Sequence, residues 1–353
     1  MKKTVTTLAD GRELIYYDAA DGTVRDAVDT RPLDPVASRS EVRRDVLLGD
    51  SVVVASHRQG RTFHPPADEC PLCPSRDGRR SEIPADGYEV AVFENRFPSL
   101  TGEAGRCEVV CFTSDHDASF ADLTPDRVAL VLDAWTDRTA ELAERPGVEQ
   151  VYCFENRGAE IGVTLGHPHG QIYAFPHTTP RTALMRRNAA EHRERTGRNL
   201  FDEVVARERA DGVRVVLEGE HWIAFVPYAA HWPYEVHLYP KRRVPDLLAL
   251  DEEARSEFPQ VYLELLRRFD RIFGEGEPLT PYIAAWHQAP FGALEEFEGV
   301  NRDDFALHLE LFTIRRTPGK LKFLAGSESG MNVFINDVPP ERAAERLREV
   351  ASR

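Results

Sequence analysis

Short apolar runs broken by turn residues, followed by one long amphipathic stretch, occur twice along this chain. After a polar first stretch with weak strand signals, SVVVAS from Ser51 to Ser56 reads as a buried strand. A loop rich in Pro and Cys follows. YEVAVFEN and CEVVCFTSDH then alternate or run apolar over strand lengths, with Asn95 and Pro98 marking the turn between them. Thr124 and Pro125 open a helix to about Arg145: a capping hydroxyl, a proline in the first turn, then Val128, Leu132 and Trp135 at helical spacing. Gln150 to Glu155 reads as a further strand.

The second half repeats this order. HWIAFVPY and YEVHLYPKR read as strands, Asp251 to Phe273 as a long helix, and PYIAAWH and FALHLELFTIRR as strands, with a last helix from about Pro340 to Val350. A His-bearing strand closes each half, which suggests duplication. The expected fold is therefore α+β: two similar halves forming one mainly antiparallel sheet with helices packed on it. Residues 1–180 form the first half and 211–353 the second, joined by a charged helical connector over 181–210 that stops at a glycine.

Composition narrows the function. Of the 353 residues, 42% are apolar and 29% charged, a globular balance. No apolar run approaches the roughly 20 residues that span a bilayer, and MKKTVTTLADGREL lacks the apolar core of a signal peptide. The expectation is a cytoplasmic protein without membrane partners. Five cysteines in such a chain point to a metal or to buried thiols rather than a disulfide framework. A net charge of -15 argues against nucleic acid as a partner. Small phosphorylated ligands remain open, since they need only a local cluster of donors.

The sharpest chemical signal is Gly166-His167-Pro168-His169-Gly170-Gln171, running into the apolar IYAF. Two histidines two apart on extended backbone share a side, so both can line one site. Pro168 places the segment at a strand end or edge, and Gly170 allows close approach of backbone to ligand. Cys70-Pro71-Leu72-Cys73 is a knuckle able to put two thiolates on one zinc, or to serve redox chemistry. Arg58 and Arg61 in HRQGR suit a diphosphate, or simply a solvated loop.

His-Pro-His-Gly-Gln is the pattern of the nucleotidyltransferase branch of the histidine triad (HIT) superfamily. Across nearly its whole length the chain resembles the galactose-1-phosphate uridylyltransferases, and its halves are then HIT-like. The resemblance implies that His169 attacks an α-phosphorus and that Gln171 hydrogen-bonds the phosphoryl oxygens. A neutral imidazole is a good nucleophile near pH 7, and splitting the displacement into two steps predicts ping-pong kinetics. The resemblance also implies one structural zinc per subunit on Cys70, Cys73, His116 and His167, with four protein ligands and no open position. For the nucleotide it supplies Arg58, Arg61, Asn95, Asn156 and Thr164. Lys322, Phe323, Gly326 and Glu328 resemble a segment that in relatives reaches the neighbouring subunit's site, with Lys322 near phosphate and Glu328 near the hexose. A homodimer with shared sites, acting on a UDP-hexose and a hexose 1-phosphate, follows from the resemblance.

The chain departs from the family at two places. Relatives hold a second metal through a connector Glu, a His in WH-x-AP and two histidines one residue apart. Here His287 and His308 match, but Glu310 replaces the second His of the pair and the connector Glu falls on Met185. Two readings follow for His287, His308 and Glu310, a weak metal site or a set that simply bonds within itself; the expectation is the second, with the family's second metal site absent. A late Gln of the hexose end falls on Phe334, which opens the question of the sugar acceptor. Besides uridylyl transfer between UDP-glucose and galactose 1-phosphate, two readings stay open. One is an ADP-glucose-type phosphorylase or adenylyltransferase on the same histidine; the other is a zinc-stabilised nucleotide-binding module.

Overall fold

A computed structural model describes residues 1–352 except 36–39, 61–64, 77 and 293–300. The chain divides into two compact units. Unit 1 is Met1–Cys153 with Thr164–Leu184 and a short piece from Pro290; unit 2 is Phe154–Val163, Met185–Ala289 and most of the chain beyond.

Unit 1 carries strands β1 (Lys2–Thr7), β2 (Glu13–Asp18), β3 (Glu41–Arg44), β4 (Ser51–Val54), β5 (Val90–Glu94) and β6 (Arg106–Cys111). Helix α1 (Pro125–Ala143), strand β7 (Gln150–Arg157), whose second half passes into unit 2, and strand β8 (His169–Phe175) follow. Its main strands lie in the order β1-β2-β5-β6-β8-β7. Helix α2 (Pro180–Thr196) leads into unit 2, which holds α3 (Leu200–Asp211), β9 (Val215–Glu218), β10 (Trp222–Phe225) and β11 (Val236–Pro240). Then come α4 (Glu252–Arg271), β12 (Tyr282–His287), β13 (His308–Phe312), the small pair β14 (Arg315–Thr317) and β15 (Lys320–Leu321), and helices α5 (Gly326–Met331) and α6 (Pro340–Glu349). The second half of β7 pairs with β12, and the order continues β12-β13-β11-β10-β9. The registered pairings of this large sheet are antiparallel.

The duplication read from the sequence is visible in the topology. Strands β5-β6-β8-β7 and β10-β11-β13-β12 repeat one order, with α1 and α4 inserted at the same point of each copy. Both helices start as the capping residues dictate: Thr124 accepts from the Arg127 N–H and Asp251 from the Ala254 N–H. α1 packs on β2 and β5, and α4 on β10. Trp135 of α1 is buried against Phe112 and Phe120, whose ring centroids lie 4.8 Å apart. In unit 2 the buried Trp222 donates its Nε1–H to the Ala254 carbonyl of α4 at 2.7 Å and meets Phe258 and Trp286. Trp222 and Trp286 are thus core residues, as their apolar strands predict.

Two expectations are corrected. SVVVAS is not a buried strand: β4 pairs with β3 in a separate hairpin, and Val52 and Val54 are 54% and 37% exposed. β-branched residues favour extended backbone whether or not a second layer covers them. Conversely, the polar-looking first stretch contains β2, whose Leu14, Ile15, Tyr16 and Tyr17 are all buried.

One buried ion pair ties α1 to the sheet. Glu108 on β6 accepts from Arg138 Nε and Nη2, both at 2.8 Å, and from Arg106 Nε at 2.7 Å. Burial pushes the Glu108 carboxyl up, but Arg138 and Arg106 outweigh it and hold it below 4.5. Replacing Arg138 with Met leaves the carboxylate buried with half its partners and is expected to cost about 3–5 kcal/mol in urea unfolding. Because the folded pKa is depressed, the pair's contribution is present above pH 4.5 and disappears as pH falls through the lower folded value. The wild-type advantage over Arg138→Met should therefore shrink in acid.

Candidate active site and metal cluster

Strand β8 presents its residues alternately: Gly170, Ile172 and Ala174 are buried, while His169, Gln171 and Tyr173 are half-buried along the other face. Its register against β6 sets His169 opposite Cys111, Gln171 opposite Val109 and Tyr173 opposite Cys107. His167 lies just before the strand and is 1% exposed.

His167 is one corner of a four-residue cluster. The ligand atoms of Cys70, Cys73, His116 and His167 all lie within 4.8 Å of one another. Cys73 Sγ stands 3.3 Å from His116 Nδ1 and 3.5 Å from His167 Nδ1. Zinc bonds of about 2.0–2.3 Å in a tetrahedron separate ligand atoms by roughly 3.3–3.8 Å, so this donor set fits that ion. The opposite nitrogen of the His167 ring is also fixed. Nε2 lies 2.8 Å from the Thr113 carbonyl and 2.8 Å from Tyr88 Oη, and Tyr88 donates to the Leu72 carbonyl inside the knuckle at 2.9 Å. A proton on Nε2 leaves Nδ1 as the free ligand atom facing Cys73. Burial pushes the Cys70 thiol up to about 11, so the thiolate forms as a metal displaces its proton.

His169 is tied to the same cluster through backbone. Its Nδ1 lies 2.8 Å from the His167 carbonyl oxygen. A carbonyl only accepts, so the proton resides on Nδ1 and Nε2 keeps its lone pair. Burial draws the His169 pKa below 6.5, against that backbone bond, which favours the neutral ring.

Around His169, Gln171 Oε1 accepts from Tyr173 Oη at 3.3 Å, leaving the amide N–H groups to donate elsewhere. Tyr173 Oη also lies 3.0 Å from Ser99 Oγ and 3.5 Å from Arg58 Nη1. The structure thus joins Arg58 to Gln171 through Tyr173, a residue the sequence reading passed over. Its signal was available, since Tyr173 sits two beyond Gln171 in the same alternation. Arg61 lies outside the described residues. Asn95 is half-buried at the end of β5, its Oδ1 accepting from the Phe97 N–H at 2.9 Å. Thr164 is half-buried in the loop leading to the motif. Asn156 belongs to unit 2, in the half of β7 that pairs with β12, opposite Ile283.

In the C-terminal segment, Lys322 donates to Glu328 Oε1 at 2.8 Å and also to the Ile335 carbonyl. Both side chains are buried, so the two charges satisfy each other within the chain. Phe323 beside them is 74% exposed, and Leu324, Met331, Val333 and Ile335 are exposed as well. Phe334, at the place of the hexose Gln, packs edge-on against His231 and Trp232. No described helix is long and apolar enough to cross a membrane.

The duplicated antiparallel α+β fold and the His-Pro-His-Gly-Gln strand define the class: this is a nucleotidyltransferase. Residues 101–179 match the model of the galactose-1-phosphate uridyl transferase N-terminal domain, and residues 185–353 that of its C-terminal domain. The chain belongs to the galactose-1-phosphate uridylyltransferase family. It is 70% identical to the galactose-1-phosphate uridylyltransferase of Streptomyces lividans, over 99% of this chain and 98% of that one. With the Thermotoga maritima enzyme of the same name it shares 35% identity over 88% and 98%. A solved uridylyltransferase superposes with a TM-score of 0.76 at 30% identity, covering 88% of this chain and 98% of that chain. An Arabidopsis thaliana ADP-glucose phosphorylase shares the fold, with a TM-score of 0.67 at 22% identity over 88% and 99%.

Proposed function

We propose that this enzyme exchanges UMP between UDP-glucose and galactose 1-phosphate through a uridylyl group carried on His169. One observation carries the mechanism: the Nδ1 proton held on the His167 carbonyl frees Nε2 as a lone pair. Nε2 attacks the α-phosphorus of UDP-glucose, the bond to the bridging oxygen breaks, and glucose 1-phosphate departs with the electron pair. A phosphate oxygen of galactose 1-phosphate then attacks the same phosphorus, the P–N bond breaks, and UDP-galactose leaves with the imidazole neutral again.

Charge on the phosphoryl oxygens needs preorganised donors. The Gln171 amide, oriented by Tyr173, fits that role, and Arg58, Arg61, Asn95, Asn156 and Thr164 are the nucleotide-binding residues of this reading. The Cys70, Cys73, His116 and His167 set would hold zinc. With all four positions filled by protein, such an ion would tie the Cys70–Cys73 knuckle and His116 to His167 at the head of the catalytic strand and would supply rigidity rather than chemistry. The two halves, 1–180 and 211–353, are copies joined by the 181–210 connector. The exposed apolar side chains around Phe323 support a homodimer in which this segment reaches the partner's site, and a dilute monomer with full specific activity would sink that part; a cytoplasmic location belongs to the same reading.

UDP-glucose labelled at the α-phosphate, given without acceptor and quenched in alkali, should leave label on the peptide containing His169, released by galactose 1-phosphate. Label from ADP-glucose alone would transfer the assignment to the phosphorylase reading, and absence of label from either donor would leave a nucleotide-binding module. The pH profile offers a second check. A His169 pKa below 6.5 keeps the ring neutral as pH falls to that value. The midpoint of single-turnover labelling should therefore fall below pH 6.5, with the rate lost as pH drops through it; a midpoint above 6.5 contradicts the assigned proton.

A further inference from the structure

Unit 2 contains a cavity of about 470 Å³ between helix α3 and the sheet. Its α3 wall includes Phe201, Val205 and Arg209, four apart and therefore on one helical face. Ile223 on β10 and Tyr239 on β11 stand opposite each other in the register and form the floor. Phe201, Ile223 and Tyr239 belong to one buried core cluster, with Val205 packed against it. Tyr239 is fixed further: its ring stacks on His308 at 4.7 Å, and His308 and His287 meet Glu310 at 3.5 and 3.3 Å. The floor is thus part of the packed interior, and the cavity is preformed at a size within the roughly 300–1,000 Å³ of small-molecule sites.

The rim has the opposite chemistry. Arg209, Lys241 and Arg243 line the cavity beside one carboxylate, Asp202. Asp202 accepts from Arg243 Nε at 2.9 Å. Arg209 Nε and Lys241 Nζ both approach the same oxygen, Oε1 of Glu218 on β9, at 2.8 Å. Three lining cations thus face two carboxylates, an excess of one positive charge on a chain whose net charge is -15. Both guanidinium groups meet their carboxylates through Nε, which leaves Nη N–H groups to donate to an incoming anion.

We propose that this cavity binds an amphipathic monocarboxylate, its head at Arg209, Lys241 and Arg243 and its apolar body against Phe201, Val205 and Tyr239. The charge count selects the head: a monoanion cancels the excess, whereas a phosphate dianion leaves a net negative charge beside Asp202 and Glu218. The walls select the body, since a sugar or nucleotide would bring hydroxyls against Phe201, Val205 and Ile223, which offer them no partner. None of the residues assigned to nucleotide, hexose or metal lines the cavity, so its occupancy is read independently of UMP exchange.

Octanoate is the probe, titrated calorimetrically into the full-length protein. One octanoate per chain is expected, with octanol bound at least roughly 10-fold more weakly, the loss that follows when a hydrogen bond to a charged group goes unmade. Arg209→Gln should weaken octanoate by about the same 10-fold and leave octanol unchanged. Ala206→Trp and Val205→Phe, both on the α3 wall, should fill the cavity and abolish binding of either ligand. No saturable octanoate binding up to about 1 mM overturns the proposal. So does octanol that binds as tightly as octanoate, and so does octanoate binding that survives both filling variants. A wild-type oligomer that binds no octanoate and that Ala206→Trp dissociates in gel filtration overturns it as well, giving the cavity to a second copy of the chain.

Discussion

Replacing His169 with Ala should lower UMP exchange by a factor on the order of 10⁵–10⁶, the loss typical when a covalent nucleophile is removed from an otherwise complete site. The reason lies in what remains. Gln171, Tyr173 and Arg58 keep their mutual hydrogen bonds, so donors to the phosphoryl oxygens stay organised. What disappears is the lone pair on Nε2 and with it the two-step route. The variant should take no label from α-phosphate-labelled UDP-glucose and should unfold within a degree or two of wild type, because the ring is only half-buried at a strand end. A variant retaining even a hundredth of the activity, with label on another residue, would move the nucleophile elsewhere.

The second large effect is expected at Cys73. Its sulfur contacts both histidines of the four-residue cluster. A Cys73→Ser change, or exhaustive chelation, should remove zinc and cost at least about 3 kcal/mol in folding, since metal-binding free energy is folding free energy when the unfolded chain has no preformed site. Activity should fall by more than the unfolded fraction explains. Without the metal the His167 ring keeps only its Nε2 contacts to Thr113 and Tyr88, which should loosen the carbonyl that holds the His169 proton. Measuring single-turnover labelling at a temperature where Cys73→Ser is still folded separates the two losses. Unchanged labelling in a metal-free, folded variant would show that the cluster stabilises the fold without orienting the nucleophile.

Much of this was legible in the chain itself, and the exceptions share causes. Helices α1 and α4 were readable because Thr124 and Asp251 cap them and their apolar residues recur at helical spacing. The succession of strands and helix along the chain was readable because it occurs twice, while their order within the sheet came only with the structure. β2 escaped because it is buried on both faces, so ELIYYD shows no alternation to detect. SVVVAS misled because branched side chains report extended backbone, not burial. The Cys70–Cys73 knuckle was readable from local spacing, whereas the supporting hydroxyl on Tyr88 is 79 residues from the His167 ring it contacts. The contact between His237 and Glu310 escaped for a related reason. A lone histidine in a strand means little until the register sets Glu310 across from it.

The repeated topology also makes each copy a reference for the other. His169 and His308 each begin the third strand of their copy, and each gives its Nδ1 proton to the carbonyl two residues back at 2.8 Å. Gln171 in one copy and Glu310 in the other stand two places further on. A neutral amide beside the first imidazole leaves it free to bond phosphorus; a carboxylate beside the second surrounds its lone pair with charge and further imidazoles. Equivalent positions of the two copies thus differ by an amide and an acid, and the surroundings of their imidazoles differ with them.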